Sequence, residues 1–143
     1  SMTTRWRDEA RAGRAGIDAE HQVELALLAA LEQSVREGDG DRAREVLGQL
    51  VEHTNVHFMS EQLLMRLAGY PQYEAHVHEH DDLLARARML QRHVASGEVA
   101  LSLAFLESTR AWLLQHMDSK DRAFAEWLDD QDHVAPDREP GTA

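Results

Sequence analysis

The feature that most constrains this chain is its punctuation. Over 143 residues it carries only 3 Pro and 8 Gly. Between residues 18 and 128 they gather chiefly at Gly38-Asp39-Gly40, Gly69-Tyr70-Pro71 and Ser96-Gly97. The stretches between these breaks repeat apolar residues at helical spacing. The first carries Val23, Leu27, Leu28 and Leu31. The second carries Val46, Leu47, Leu50, Val51, Phe58, Leu64 and Leu67, and the fourth Leu101, Phe105, Leu106, Trp112 and Leu113. Ala, Leu, Glu, Arg and Gln dominate, all good helix formers, and β-branched residues are sparse.

This pattern predicts an all-α fold, an up-down-up-down four-helix bundle with an N-terminal arm and a short C-terminal helix. Ser1 reads as a cloning remnant, and residues 3–16, with Trp6, as an extended arm. The first helix is expected from an Asp18 cap to near Glu37, and the second from an Asp41 cap to Gly69. The third is expected from about Pro71 to Ala95 and the fourth from near Glu98. A break around Met117-Asp118-Ser119 precedes a last helix ending at Leu128. The bundle domain spans residues 1–130, and 131–143 read as a disordered tail or linker stub.

A formal net charge of −11 repels phosphate backbones and argues against nucleic-acid partners. No apolar run approaches 18 residues, so no membrane span is expected, and the cytoplasm is the simplest location. With no cysteine, thiolate zinc sites, cysteine-ligated clusters and cysteine nucleophiles are excluded.

Nine histidines need an explanation, and their spacing supplies most of it. His57 and Glu61 are four apart on the second helix, and His76 and His80 on the third, so each pair shares a face. His21 opens the first helix, and His116 closes the fourth with Asp121 five residues later. In an antiparallel bundle these positions meet at one end. Five imidazoles and two carboxylates buried together are costly without a cation. They exceed what one tetrahedral zinc takes, and they suit iron, copper or zinc. Two metals bridged by two carboxylates account for the count. His78 is expected to point away from this cluster, and His93 and His133 to face solvent. Arg86, Arg88 and Arg92 read as a solvated face.

Over residues 6–128 the chain resembles the hemerythrin family, in particular the bacterial hemerythrins. The likeness rests on Trp6, Gly13, Ile17-Asp18-Ala19-Glu20-His21, His57-Phe58-Met59-Ser60-Glu61, Tyr70-Pro71, His76-Val77-His78-Glu79-His80, Trp112-Leu113-Leu114-Gln115-His116 and Asp121. It implies a non-haem, oxo- or hydroxo-bridged centre of two iron ions with O2 as its ligand. By that resemblance His76, His80 and His116 hold one iron and His21 and His57 the other. Glu61 and Asp121 bridge them, with no terminal carboxylate and one position left open for O2. Met65, Trp112, Leu113 and Phe124 match the family's O2-pocket positions. His53 departs from the family, which commonly has Tyr there; it reads either as a solvated or partly buried bystander or as a donor acting on the site from behind His57.

The implied function is reversible O2 binding for carriage, storage or delivery, without catalysis. The alternatives are an O2 or redox sensor domain coupled to a partner or fused output domain, and a di-iron enzyme acting on peroxide or nitric oxide.

Overall fold

The computed structural model describes the backbone of residues 2–134 and the side chains of residues 19–131. It is all-helical: α1 Met2–Arg36, α2 Gly40–Ala68, α3 Tyr73–Ser96, α4 Val99–His116, a π-helical turn Met117–Asp121, and α5 Arg122–Val134. In space α1 neighbours α2, α2 neighbours α3, α3 neighbours α4, and α4 returns to α1. Short connections make successive helices antiparallel, as expected of a four-helix bundle.

Each connection ends its helix by a local device. Gly69 and Gly97 adopt left-handed φ of 70° and 76°, a conformation that costs glycine little. The Gly69 cap lets the Tyr70 amide donate back to the Met65 carbonyl at 3.0 Å, which folds the Tyr70 ring in against Phe124 and Trp127. The cap of α2 is Asp39, whose carboxylate accepts from the Arg42 amide. Asp41, expected as that cap, sits in the first turn, where its charge favours the helix dipole.

Several expectations need correction. Residues 3–16 are not an extended arm, because α1 begins at Met2 and Asp18 lies inside it. Arg and Ala in that stretch are sound helix formers and outweigh its two glycines. The third helix starts at Tyr73 rather than Pro71, and α5 continues past Leu128 to Val134, so the stub expected over 131–143 begins as helix. Residues 135–143 lie outside the described residues. Val23, Leu67 and Leu101 are exposed; a stripe on one face of a helix is fixed by its best-matched positions, and these fall on its margins.

The main core joins Leu28, Leu31 and Val35 of α1 to Val46, Leu47, Leu50 and Phe58 of α2, Leu83, Leu90 and Val94 of α3, and Leu106 and Leu113 of α4. A second cluster of Leu64, Met65, Tyr70, Phe124 and Leu128 closes the far side. Between them lies a polar layer. Buried Ser34 and Thr109, by contrast, are satisfied within their own helices, donating to the Ala30 and Phe105 carbonyls.

Leu31 is fully buried, in a part of the core with no polar cluster residue. Leu31→Ala is expected to lower stability by about 2–5 kcal/mol through lost contacts and a residual cavity. Urea denaturation of the metal-stripped protein measures it, and a loss below roughly 1 kcal/mol would mean that the core closes around the gap.

Candidate metal centre

The polar layer is built by four segments. His57 and Glu61 enter from α2, His76 and His80 from α3, His116 and Asp121 from the α4–π–α5 run, and His21 from α1. All seven come together. Glu61 and His80 are 1% exposed, His57 and His76 2%, and His116 4%. His21 lies mid-helix rather than in a first turn, because α1 begins at Met2.

Donor atoms of Glu61, His76, His80, His116 and Asp121 all lie within 4.8 Å of one another. His76 Nε2 touches Glu61 Oε1 and lies 3.0 Å from Asp121 Oδ1. His80 Nε2 is 3.1 Å from Glu61 Oε1, and His116 Nε2 3.3 Å from Asp121 Oδ1. On the other side His57 Nε2 is 3.3 Å from Glu61 Oε2, and His21 Nε2 3.0 Å from Asp121 Oδ2. Each carboxylate thus turns one oxygen to each half of the cluster.

Proximity here is not hydrogen bonding. Nine buried side-chain atoms have no hydrogen-bond partner: the Nε2 atoms of His21, His76, His80 and His116, both oxygens of Glu61, both of Asp121, and Oε2 of Glu24. They are all the unsatisfied buried side-chain polar atoms among the described residues, and they sit in one layer. Each such atom costs about 1–3 kcal/mol or more if left alone. The donor set of imidazoles and carboxylates is one that a divalent cation satisfies.

The outward nitrogens are held as metal-ready imidazoles require. His57 Nδ1–H donates to Glu20 Oε2 at 2.6 Å, and His116 Nδ1–H to Glu79 Oε2 at 3.1 Å. The Gln62 amide lies 3.3 Å from His80 Nδ1, and an amide flip puts its oxygen there as acceptor. Such partners fix the tautomer and aim Nε2 inward. Phe58 stacks on the His80 ring at 3.8 Å and Trp112 on the His116 ring at 5.2 Å.

Asp121 reaches the layer through the π turn. Five residues of α-helix would set it about 140° from His116. The π turn, which closes i to i+5, absorbs the extra residue and returns Asp121 to the His116 face. The expected break is therefore a widened turn within an unbroken helix.

Without metal the cluster pairs charges. Burial alone would push His57 and His76 down. The facing carboxylates outweigh it: Glu61 for His57, Asp121 and Glu61 for His76, and both imidazoles rise to about 9. Burial likewise opposes ionisation of Glu61 and Asp121, but the surrounding imidazoles hold both well below the usual carboxylate range. His80, buried and facing His76 and His116, is pushed down.

The other positions fall variously. Met65 and Phe124 share the second apolar cluster, whereas Leu113 belongs to the main core and Trp112 packs on it. His53 does not enter the layer; its Nε2 donates to the Glu20 carbonyl at 3.1 Å, bracing the residue that orients His57. His78 is exposed, as expected. His93 is half-buried against Phe105 rather than facing solvent. Arg86 is drawn in over the same ring and toward Ser108, while Arg88 and Arg92 are exposed. The side chains of Trp6, Gly13 and His133 lie outside the described residues.

Glu20, Gln62 and Glu79 went unpredicted, since nothing in sequence separates them from surface residues. Glu24, also unpredicted, had a signal. It falls four, seven and eleven residues before Leu28, Leu31 and Val35, so it is a carboxylate on the buried stripe of α1.

A helical bundle with a buried layer of histidines and carboxylates defines a class of cation-binding domain. A family model for the hemerythrin HHE cation binding domain matches residues 12–128, and the chain belongs to that family. It is 34% identical to a bacteriohemerythrin of Ralstonia nicotianae over 123 residues, covering 86% of this chain and 87% of that one. It is 26% identical to a bacteriohemerythrin of Methylococcus capsulatus (78% and 85% covered) and 28% to one of Stenotrophomonas maltophilia (85% and 78%). No solved structure matches it significantly. No described helix is long and apolar enough to cross a membrane.

Two predictions follow from this geometry. Deleting Ser119 leaves three residues between His116 and the carboxylate, an i, i+4 spacing, and converts the π turn to α, so bound metal is expected to survive. Inserting one Ala after Ser119 rotates Asp121 by about 100° and is expected to cost at least half the metal. Metal analysis of both purified variants distinguishes them, and equal retention would mean that Asp121 is not needed.

The second concerns pH. His57 and His76 are raised on folding from 6.5 to about 9. Their stabilisation of the metal-free protein is full below 6.5 and is lost as pH rises through 9. The melting temperature of stripped protein is expected to fall across that window. A flat profile would mean that these imidazoles are neutral when empty.

Proposed function

We propose that this domain binds O2 reversibly at a centre of two non-haem irons, as a cytoplasmic carrier or store. The observation that carries the reading is the set of nine unsatisfied buried atoms in one layer, a donor set suited to cations in a chain of the hemerythrin family. His76, His80 and His116 would hold one iron, His21 and His57 the other, and Glu61 and Asp121 would be shared. When bound, the two ferrous ions supply the electrons that O2 draws on. The chain's own residues do the rest. Glu20 and Glu79 hold the Nδ1 protons of His57 and His116 so that Nε2 is free to donate. Phe58 and Trp112 wall the imidazoles with apolar surface, and Met65, Leu113 and Phe124 keep water from the layer.

A small apolar cavity of about 20 Å³, with Leu28, Leu50, Leu83, Leu90 and Leu113 among its walls, reaches Thr54 beside the His57 side of the layer. The family is one of binding proteins, and the domain is read as one, not as an enzyme.

Protein expressed in iron-replete cells is expected to carry close to two irons per chain, with visible bands of an oxygen-bridged ferric pair that change reversibly on exposing the reduced protein to O2. Glu61→Ala, which removes the carboxylate facing both halves, is expected to retain less than one. One metal per chain in the wild type, or zinc alone, would overturn the reading.

A further inference from the structure

The family resemblance gives the His21–His57 half of the centre only two side chains of its own. The structure places a third there. Glu24 lies one turn after His21 on α1 and is 1% exposed, as deeply buried as Glu61. Its donor atom and those of His21 and His57 all lie within 4.8 Å of one another. One oxygen, Oε1, accepts from Thr54 Oγ1 at 3.2 Å, and Thr54 is itself buried. The other, Oε2, has no partner. A carboxylate anchored by one oxygen, with the other left bare among metal-ready imidazoles, has the arrangement of a ligand, not of a core residue. An apolar side chain would fill this stripe position at lower cost.

We propose that Glu24 is an eighth protein ligand, a terminal carboxylate on the metal held by His21 and His57. The inference rests on the two-metal reading above. The two halves then become equal: His76, His80 and His116 on one metal, His21, His57 and Glu24 on the other, with Glu61 and Asp121 shared by both. The position that the resemblance leaves open to small ligands is contested by the chain itself, and an incoming ligand must displace Glu24. A third anion also offsets more of the positive charge of a ferric pair than of a ferrous one. Thr54 is a positioning residue, fixing Oε1 so that Oε2 faces the metal.

The test uses Glu24→Leu and the nearly isosteric Glu24→Gln beside the wild type, each checked for fold by helical circular dichroism. Cobalt(II) added to stripped protein under a competing chelator reads metal affinity without any O2 chemistry. Both variants are expected to bind one of two cobalt ions at least about tenfold more weakly, the other unchanged. In the ferric iron-loaded proteins azide, a small anionic metal ligand, is expected to bind the variants about tenfold more tightly, since the site is no longer occupied by the carboxylate most of the time. Loss of one metal outright from a folded variant supports the assignment equally. Two metals in the wild type, with cobalt and azide affinities unchanged in both variants, would overturn the inference and leave the two-metal reading standing. A wild type that holds a single metal would overturn both.

Discussion

The structure depends on burying charge it cannot satisfy by itself. Glu61 and Asp121 each present two unpartnered oxygens, and His21, His76, His80 and His116 each a bare Nε2, to a layer closed to solvent. In a bundle otherwise packed from leucine and valine, such a layer is a liability that only a cation or a proton can relieve. Metal and protons therefore compete for the same atoms: without metal, the facing carboxylates raise His57 and His76 to about 9. Binding metal and stabilising the fold are one event here.

The helices around that layer are arranged to make it stiff. The two i, i+4 pairs on α2 and α3 need only regular helix. Asp121 needs the π turn, a local widening at the one place where the spacing of ligands does not fit 3.6 residues per turn. Behind the ligands stand Glu20 and Glu79, themselves half-exposed, which fix imidazoles that are almost fully buried. His53 belongs to this supporting frame, since it holds the backbone of Glu20 rather than facing the layer. A substitution there would act on His57 through α1, by loosening the carboxylate that orients it.

Glu24 shifts what the site can do. With two bridging carboxylates and no terminal one, the layer would favour binding over oxidation, with an open position on one side. A third carboxylate on that side makes access conditional. Thr54, which donates to Glu24, also lines the small apolar cavity in the core.

The chain's sequence alone determined the four-segment bundle and the seven residues of its polar layer. The reason is that punctuation by Gly and Pro, apolar periodicity and i, i+4 spacing are local properties, and antiparallel helices turn local positions into shared height. Its reach stopped where the decision was not local. Whether residues 3–16 are arm or helix depended on propensities that two glycines obscured. Whether Asp121 could face His116 depended on a turn type with no sequence mark of its own. Which of many surface-like acids stands behind a ligand was decided by the crossing of α1 with α2 and of α3 with α4, since only packing brings Glu20 to His57 and Glu79 to His116. Glu24 was half-legible, a charge on an apolar stripe. Its partner Thr54 is 30 residues away in sequence, and only the packing of α1 on α2 leaves its second oxygen buried without a partner.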